Sequence, residues 1–241
     1  MIDGHEKAVL QISGGKDSLC VLHMLREYWP KITVMWVNTG AAYPETIEQM
    51  EKINAMVPNF MEVKADQSRN LESMGLPVDV LPVRETIFGH SMEPEWGGPL
   101  LQSRFLCCDA NMWQPLYQAV KATGATLVIR GQRKSEKLRS AINSGHVLDG
   151  ITYWFPIEDR SEEEVLRWLA EHEIELPQSY RYLETSLDCW SCTAYTEANA
   201  GKMRHLKAKH PDKYAHVRGN LDLIIHAAER ELEHVRRAMV E

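Results

Sequence analysis

Short apolar runs alternate with glycine-rich or polar breaks at the start of the chain. Residues 8–12 are mostly apolar, and Gly14 and Gly15 follow them closely. Leucine and valine then recur at the spacing of one helical face. A β-branched run at residues 32–37 predicts a second strand, and a second helix is expected to open near Pro44. The start of the chain therefore predicts two strand–helix units.

The alternation continues over most of the sequence. We predict strands at residues 60–63, 126–130 and 153–156, and a helix at residues 112–122. Ser161 and Glu164 form a capping-box sequence that predicts the start of another helix. Strands that alternate with helices favour a parallel sheet, so the predicted fold class is α/β.

Two regions depart from this alternation. Residues 66–104 contain several prolines and a Gly-Gly pair, and a connection of this length predicts a functional or mobile loop. The last part of the chain reads as helices interrupted at Pro211 and Gly219. We therefore expect an α/β domain over residues 1–195, with residues 196–241 as a C-terminal helical region.

The composition is that of a globular protein of 241 residues, 44% hydrophobic and 25% charged. No apolar run approaches the roughly 18 to 20 residues that span a bilayer, so we expect no membrane segment. The first residues lack the basic-then-apolar pattern of a signal peptide, which predicts a cytoplasmic location with reduced cysteines. Because the net charge is −7, contact with nucleic acid would need a local positive patch.

One such patch lies in the C-terminal region. Its cations are Lys202, Arg204, Lys207, Lys209, Lys213 and Arg218, and the histidines among them show no metal-ligand spacing. A solvated helix face is the ordinary explanation. A patch beside the ligand cleft would instead receive a phosphate-bearing partner such as a nucleotide, tRNA or DNA. The apolar face of the last helix is expected to pack on the domain or on a second subunit, as a homodimer.

The turn after the first strand carries the clearest chemical signal, and it comprises Ser13, Gly14, Gly15, Lys16, Asp17 and Ser18. A strand that ends in glycines and enters a helix places backbone N–H groups and the positive end of the helix dipole at one point, which suits a polyphosphate. Lys16 would add positive charge, and Asp17 would hold Mg²⁺ or a water. The spacing matches neither the Walker A loop nor the Rossmann fingerprint. A tight turn with Ser18 as a helix cap is the structural alternative.

These six residues resemble the PP-loop of the N-type ATP pyrophosphatases, which cleave ATP between the α and β phosphates. The resemblance implies the adenine-nucleotide α-hydrolase fold, a Rossmann-like parallel sheet with helices on both faces, here with a C-terminal helical appendage. Three further motifs resemble the phosphoadenosine phosphosulfate (PAPS) reductase family. They are Asn38-Thr39-Gly40 with Tyr43-Pro44-Glu45-Thr46, Gly131-Gln132-Arg133 with Ser135 and Arg139, and Pro156-Ile157-Glu158-Asp159-Arg160-Ser161.

The family resemblance implies roles for residues after the second and fourth predicted strands. The end of strand two lies beside the adenosine in that family, which here means Asn38-Thr39-Gly40. The arginines after strand four reach phosphate or sulfate, so Arg133 and Arg139, beside Gly131, are expected to bind anions. Taken alone, the cations of this segment also fit a solvated helix face; they are Arg133, Lys134, Lys137 and Arg139.

Four of the five cysteines form two short clusters, Cys107-Cys108 and Cys189-Trp190-Ser191-Cys192, whereas Cys20 lies among apolar helix positions. Clustered cysteines in a reducing compartment predict metal ligation before disulfides, and thiolates suit zinc or iron–sulfur. Adjacent ligands are unusual for structural zinc, which favours iron. A thioredoxin-like redox pair at Cys189 and Cys192 is a weaker alternative, because it leaves the first cluster unexplained.

The cysteine pattern resembles the [4Fe-4S] ligation of the assimilatory reductases that act on adenosine phosphosulfate. That resemblance implies a cluster held by Cys107, Cys108, Cys189 and Cys192, with Zn²⁺ as the alternative. Those reductases carry a nucleophilic cysteine near the C-terminus in a Glu-Cys-Gly motif, and here no cysteine follows Cys192. They also tend to have a degenerate phosphate loop, whereas Lys16-Asp17-Ser18 keeps the form associated with ATP cleavage.

Three functions fit these features. The first is a PP-loop enzyme that cleaves ATP to AMP and pyrophosphate and adenylylates a substrate beside a [4Fe-4S] cluster for sulfur transfer, with Mg²⁺ at the phosphates. Its expected catalytic residues are Lys16, Asp17, Arg133 and Arg139. The second is a phosphoadenosine or adenosine phosphosulfate reductase that uses an external thiol. The third is a nucleotide-binding protein without catalysis whose cysteines hold structural zinc. No motif identifies the sulfur acceptor.

Overall fold

The computed structural model describes residues 1–136, 139–183, 186, 189–197 and 201–240. Eight strands are found in this part of the chain. They are β1 (Ala8–Gln11), β2 (Ile32–Asn38), β3 (Phe60–Lys64), β4 (Leu76–Val78), β5 (Leu101–Ser103), β6 (Leu127–Ile129), β7 (Val147–Leu148) and β8 (Ile151–Trp154).

Nine α-helices accompany these strands within the described ranges. They are α1 (Lys16–Met24), α2 (Pro44–Met56), α3 (Gln67–Met74), α4 (Ile87–Met92), α5 (Arg104–Cys108), α6 (Gln114–Thr123), α7 (Glu162–Glu171), α8 (Lys202–Lys209) and α9 (Pro211–Ala238). A π-helical turn, Asp109–Trp113, joins α5 to α6, and a short 3-10 turn occupies Gln178–Arg181.

Six strands form the central sheet in the order β3-β2-β1-β6-β8-β7. All neighbours run parallel except β7, which is antiparallel to β8. The chain first builds outward from β1 through β2 to β3, and later continues on the other side of β1 with β6 and β8. The carboxyl ends of β1 and β6 therefore flank the point where the strand order reverses, and such crevices are where open α/β sheets bind ligands.

Alternate residues of the central strands pack on opposite faces of the sheet. Leu10 of β1 packs with α1, α2 and α7 side chains, whereas its neighbour Val9 packs with Val120 of α6. All four residues of β1 are buried, as expected for a parallel strand covered on both sides. The predicted α/β fold class, with helices on both faces of a parallel sheet, is therefore confirmed.

The prediction of a long loop at residues 66–104 was wrong. This segment contains α3, β4, α4 and β5, and the two strands pair in parallel as a separate two-stranded sheet. Each strand has only three residues, which is too short for an alternating pattern to show in the sequence. Pro77 is tolerated inside β4 because a two-stranded sheet consists entirely of edges.

The predicted helix break at Gly219 was also wrong, whereas Pro211 does begin α9. A glycine in a helix costs only about 1 kcal/mol relative to alanine, and packing of the helix overrides that cost. Val217 and Ala227 are buried against the domain. Other apolar side chains of α9 stay exposed in the described chain, namely Leu223, Ile225, Leu232 and Val235.

No helix within the described ranges is both long enough and apolar enough to cross a bilayer.

Candidate functional site

The turn between β1 and α1 has the tight geometry expected of a phosphate-binding turn. Gly14 adopts a φ of 77°, in the left-handed region that favours glycine. A Cβ atom on Gly15 would lie 2.8 Å from the Cβ of Ser186. The turn is braced by its own hydroxyls, because the Gly15 N–H donates to Ser13 Oγ at 3.3 Å and Ser18 Oγ donates to the Gly15 carbonyl at 3.0 Å.

The N-terminus of α1 already donates to an oxygen atom from a distant part of the chain. Gly15 is the N-cap of this helix, and the next backbone N–H, that of Lys16, donates to the hydroxyl of Tyr180 at 2.8 Å. The first N–H groups of a helix have no partner within the helix and bind oxygen ligands readily. The Tyr180 hydroxyl therefore marks a position where an N–H group of the turn donates to an oxygen atom.

Two cations and two carboxylates converge beside this turn. Lys16 Nζ lies 3.4 Å from Asp17 Oδ2 and 3.5 Å from Glu162 Oε1. Arg133 Nε lies 2.6 Å from Asp17 Oδ1, and its Nη2 lies 3.7 Å from Glu162 Oε2. Lys16 is only 5% exposed and Arg133 only 3% exposed. Buried charges require partners, so the carboxylates hold both cations at the helix N-terminus.

The structure separates the two arginines that the sequence grouped together. Arg133 reaches the phosphate turn, whereas Arg139 is exposed and donates to Asn143 Oδ1 at 3.3 Å. Arg139 does not line the cavity of about 360 Å³ that opens beside the turn. Lys134 is exposed and forms an ion pair on the surface, and Lys137 lies outside the described residues.

A cavity of about 360 Å³ opens beside the turn, at the carboxyl edge of the sheet. Its size is in the range of small-molecule sites. Nine of the residues singled out from the sequence line it, namely Ser13, Gly15, Lys16, Asp17, Ser18, Thr39, Thr46, Gly131 and Gln132. Gly14 borders a smaller cavity next to it. Asn38 and Gly40 do not line the cavity; Asn38 donates to Glu62 Oε1 at 2.8 Å and its Oδ1 accepts from the Gly40 N–H at 3.0 Å.

Several residues of this cavity were not found by sequence reasoning. They include Trp36, Trp113, Arg130, Glu136 and Tyr180. Arg130 precedes Gly131, so its place beside the motif was an available signal. Burial raises the pKa of Glu136, whose carboxylate also accepts the Arg133 backbone N–H at 2.9 Å. Aromatic walls beside buried charges suit a ligand with a flat base and phosphates.

Gly131 packs directly on the first turn of α1, and this contact gives a testable prediction. A Cβ atom at position 131 would lie 2.6 Å from the Asp17 carbonyl carbon and 2.7 Å from the Ser18 nitrogen. We expect Gly131→Ala to displace the phosphate turn, to lower the free energy of unfolding by about 1–3 kcal/mol and to weaken nucleotide binding. Urea denaturation and nucleotide titration measure both effects.

Gly219 in α9 provides the matched control, because nothing lies within 4 Å of a Cβ atom there. Gly219→Ala is expected to raise stability by about 0.5–1 kcal/mol and to leave nucleotide binding unchanged. An unchanged unfolding midpoint for Gly131→Ala would contradict the close packing at the turn.

A second, smaller cavity of about 50 Å³ is lined by all four clustered cysteines, Cys107, Cys108, Cys189 and Cys192. Several hydrogen bonds surround them: Cys107 Sγ accepts from Asn111 Nδ2 at 3.7 Å, and Cys189 Sγ lies 3.2 Å from Thr39 Oγ1. Burial raises the pKa of Cys107. The structure thus brings together the four cysteines that the sequence grouped.

Cys20 is separate from these cysteines, as the sequence indicated. It lies within α1 and is fully buried in the hydrophobic core, and burial raises the pKa of its thiol to about 11. A thiol with such a pKa is unreactive at neutral pH. Cys20 is therefore a packing residue.

The two cavities are adjacent. Thr39 lines the larger cavity and contacts Cys189 of the smaller one. Met112 and Ser186 line both cavities. A ligand in the larger cavity would therefore lie next to the cysteines.

The C-terminal cations are divided by the structure. Lys202 is buried and its Nζ donates to the carbonyls of Cys189 and Cys192, so it holds the turn between these two cysteines. Arg218 pairs with Asp222 on the surface at 3.0 Å. The side chains of Arg204, Lys207 and Lys209 are exposed.

Residues 7–195 match the model of the phosphoadenosine phosphosulfate reductase domain family. The chain is similar to sulfate adenylyltransferase subunit 2 from Streptomyces lavendulae, with 24% identity over 187 residues, which cover 73% of this chain and 56% of that relative. It therefore spans little more than half the length of this relative. Adenosine 5′-phosphosulfate reductase from Neisseria meningitidis serogroup B is 22% identical over 209 residues, which cover 82% of this chain and 76% of that relative.

The fold has a counterpart among solved structures. The phosphoadenylyl-sulfate reductase from Candida auris, in its phosphate complex, superposes with a TM-score of 0.53 and 18% identity, over 76% of this chain and 81% of that chain. At this identity the similarity shows a shared fold.

Proposed function

The chain belongs to the phosphoadenosine phosphosulfate reductase family of enzymes, and we propose that it binds ATP in the larger cavity and cleaves it to AMP and pyrophosphate. The observation that carries this proposal is the pair of buried cations at the N-terminus of α1. Lys16 and Arg133 lie beside the glycine turn and the positive end of the α1 dipole, an arrangement suited to a triphosphate. The product would be an adenylylated substrate, activated for sulfur transfer.

The cavity residues divide naturally into phosphate and base contacts. The backbone from Gly15 to Ser18 and the Lys16 side chain line the cavity and would contact the phosphates. Arg133 does not line the cavity and would act from behind Asp17, which it holds at 2.6 Å. Asp17 would bind Mg²⁺ once nucleotide replaces its ion-pair partners. Trp36 and Trp113 line the cavity and offer apolar surface for adenine. Arg139 would contribute only if its exposed segment moved inward.

The reaction would run in two steps. An oxygen atom of the substrate attacks the α-phosphorus, and the bond from that phosphorus to the bridging oxygen breaks as pyrophosphate leaves with the electron pair. Lys16 and Arg133 would offset the charge that develops on pyrophosphate, and Mg²⁺ held by Asp17 would supply further positive charge there. A sulfur nucleophile then forms a bond to the activated carbon, and AMP leaves with the oxygen.

We favour a [4Fe-4S] cluster over a single zinc ion at the cysteines of the smaller cavity. All four line this cavity, and Cys107 and Cys108 are adjacent in sequence. Adjacent ligands are unusual for structural zinc. Cys107, Cys108, Cys189 and Cys192 would hold the cluster, which when bound would bind or deliver sulfur next to the activated atom.

Neighbouring side chains would orient those ligands. The hydroxyl oxygen of Tyr195 lies 3.5 Å from Cys108 Sγ. Asn111 and Thr39 contact two further sulfur atoms, and Lys202 fixes the backbone of the Cys189–Cys192 turn. Hydrogen bonds to ligand sulfur tune the potential of a cluster.

Reduction of a sulfonucleotide with an external thiol is the second candidate. The similarity to a Neisseria adenosine 5′-phosphosulfate reductase favours it. The cavity would accept either nucleotide. The third function considered, a binding protein without catalysis, is not retained because the relatives that this chain resembles are named as enzymes.

Parallel anaerobic incubations separate the two candidates. Purified protein would be supplied with magnesium and ATP, or with adenosine phosphosulfate or its 3′-phosphorylated form and a dithiol. We expect AMP and pyrophosphate from ATP and no sulfite from either sulfonucleotide. Sulfite release without ATP cleavage would replace the first candidate with the second.

A further inference from the structure

Glu45 meets two histidines of the C-terminal region outside the larger cavity and the cysteine cavity. Glu45 lies in the first turn of α2, His205 lies on α8, and His210 is the N-cap residue of α9. One ligand atom from each lies within 4.8 Å of the other two. His210 Nε2 is 2.8 Å from Glu45 Oε1, and His205 Nε2 is 3.2 Å from the same oxygen.

His205 is the most informative member of this group. Its side chain is 2% exposed, and its Nε2 approaches Glu45 Oε1 at 3.2 Å without a hydrogen bond of regular geometry, while Nδ1 has no hydrogen-bond partner among the described residues. A buried polar group whose hydrogen bonds are unmade is costly, and an ion between the ring and the carboxylate would satisfy it. The ring is also fixed in place, since Tyr43 and Tyr182 pack against it with centroids 5.8 and 5.3 Å away.

Two imidazoles and one carboxylate are a common donor set for zinc and other divalent transition metals. Ligand atoms of a tetrahedral ion with bonds of about 2.0 Å lie about 3.3 Å apart, close to the measured separations from Glu45. We propose that Glu45, His205 and His210 form a second metal site, which binds one Zn²⁺ ion. Three protein ligands leave a fourth coordination position for water.

The ion would connect two parts of the fold. Glu45 follows β2 and borders the small cavity that Ser13 and Gly14 also line. Both histidines belong to the C-terminal helical region. A bound zinc ion would therefore fasten that region to the segment beside the phosphate turn, and this role is independent of whether ATP is the substrate.

Zinc analysis of matched variants tests the site. The full chain would be stripped with a chelator, dialysed against Zn²⁺ and analysed for zinc and protein. The test variants are Glu45→Gln and His210→Gln, and the control is His226→Gln, because His226 is an exposed histidine of α9. Cys107→Ser combined with Cys192→Ser, with and without Glu45→Gln, separates this site from the cysteines.

We expect the double cysteine variant and its His226→Gln derivative to bind one zinc ion per chain. Addition of Glu45→Gln or His210→Gln should weaken binding by at least about tenfold. Equal zinc binding in all these chains, or no zinc bound by the chain with intact histidines, would overturn the proposal.

A spectroscopic measurement covers the case in which a variant does not fold. Co²⁺ added to the chain without substitutions, after its accessible cysteines have been alkylated, should give the visible d–d absorption of nitrogen and oxygen ligation. Zn²⁺ should displace the bound Co²⁺ stoichiometrically. Absence of such bands in the folded protein would also count against the site.

Discussion

Lys16→Ala should abolish ATP turnover, lowering kcat/KM by about a hundredfold to a thousandfold. The ammonium group is nearly buried at the N-terminus of α1, where the low local dielectric strengthens its effect on developing phosphate charge. Lys16 does not line the cysteine cavity, so iron content should stay unchanged. Release of AMP and pyrophosphate, measured alongside iron, gives both quantities.

Lys52 supplies the matched control for this substitution. It is an exposed lysine of α2 that pairs with Glu48 at 2.7 Å, and Lys52→Ala should leave turnover and stability within error. If Lys16→Ala lost iron and turnover together, unfolding would explain both losses. Full turnover in a folded Lys16→Ala protein would remove Lys16 from the mechanism.

The second large effect is expected at the cysteines. Cys107→Ser should reduce the iron content of anaerobically purified protein from about four atoms per chain to near zero, because a cluster with one hydroxyl ligand is poorly held. Nucleotide binding should persist, since Cys107 does not line the larger cavity. Iron and sulfide analysis with nucleotide titration measures these outcomes.

Cys20→Ala is the control for the cysteine substitution. Its thiol lies in the core, away from the smaller cavity, so iron content should be retained. Stoichiometric zinc and no iron in the unmodified protein, with that zinc lost in Cys107→Ser, would show that the cysteines hold zinc. Iron that survived in Cys107→Ser would assign the cluster to other ligands.

The fold and the turn between β1 and α1 could be predicted because their signals are local. The β1 strand, the two glycines and the start of α1 adjoin in sequence, and the apolar pattern of β1 follows from burial on both faces. Prediction from local sequence failed where an element was too short to show a period, or where tertiary packing determined whether a helix continued. The three-residue strands β4 and β5 carry no period, and packing carries α9 through Gly219.

The missing parts of the site depend on long-range contacts. Tyr180 reaches the Lys16 N–H from a distant turn. Glu162 enters the charge cluster because α7 packs beside α1. The histidines of the C-terminal region have no ligand spacing of their own and acquire their third partner, Glu45, only through folding. No pattern within a sequence window contains such pairs.

The central claim is that this chain cleaves ATP between its α and β phosphates, and the fate of labelled phosphate tests it most directly. ATP labelled at the γ phosphate would be incubated anaerobically with magnesium, the protein and, as a pool of candidate acceptors, a mixture of nucleotides and tRNA. We expect the label to appear in pyrophosphate, with AMP formed in equal amount and both lost in Lys16→Ala. Label released as orthophosphate together with ADP would contradict cleavage between the α and β phosphates.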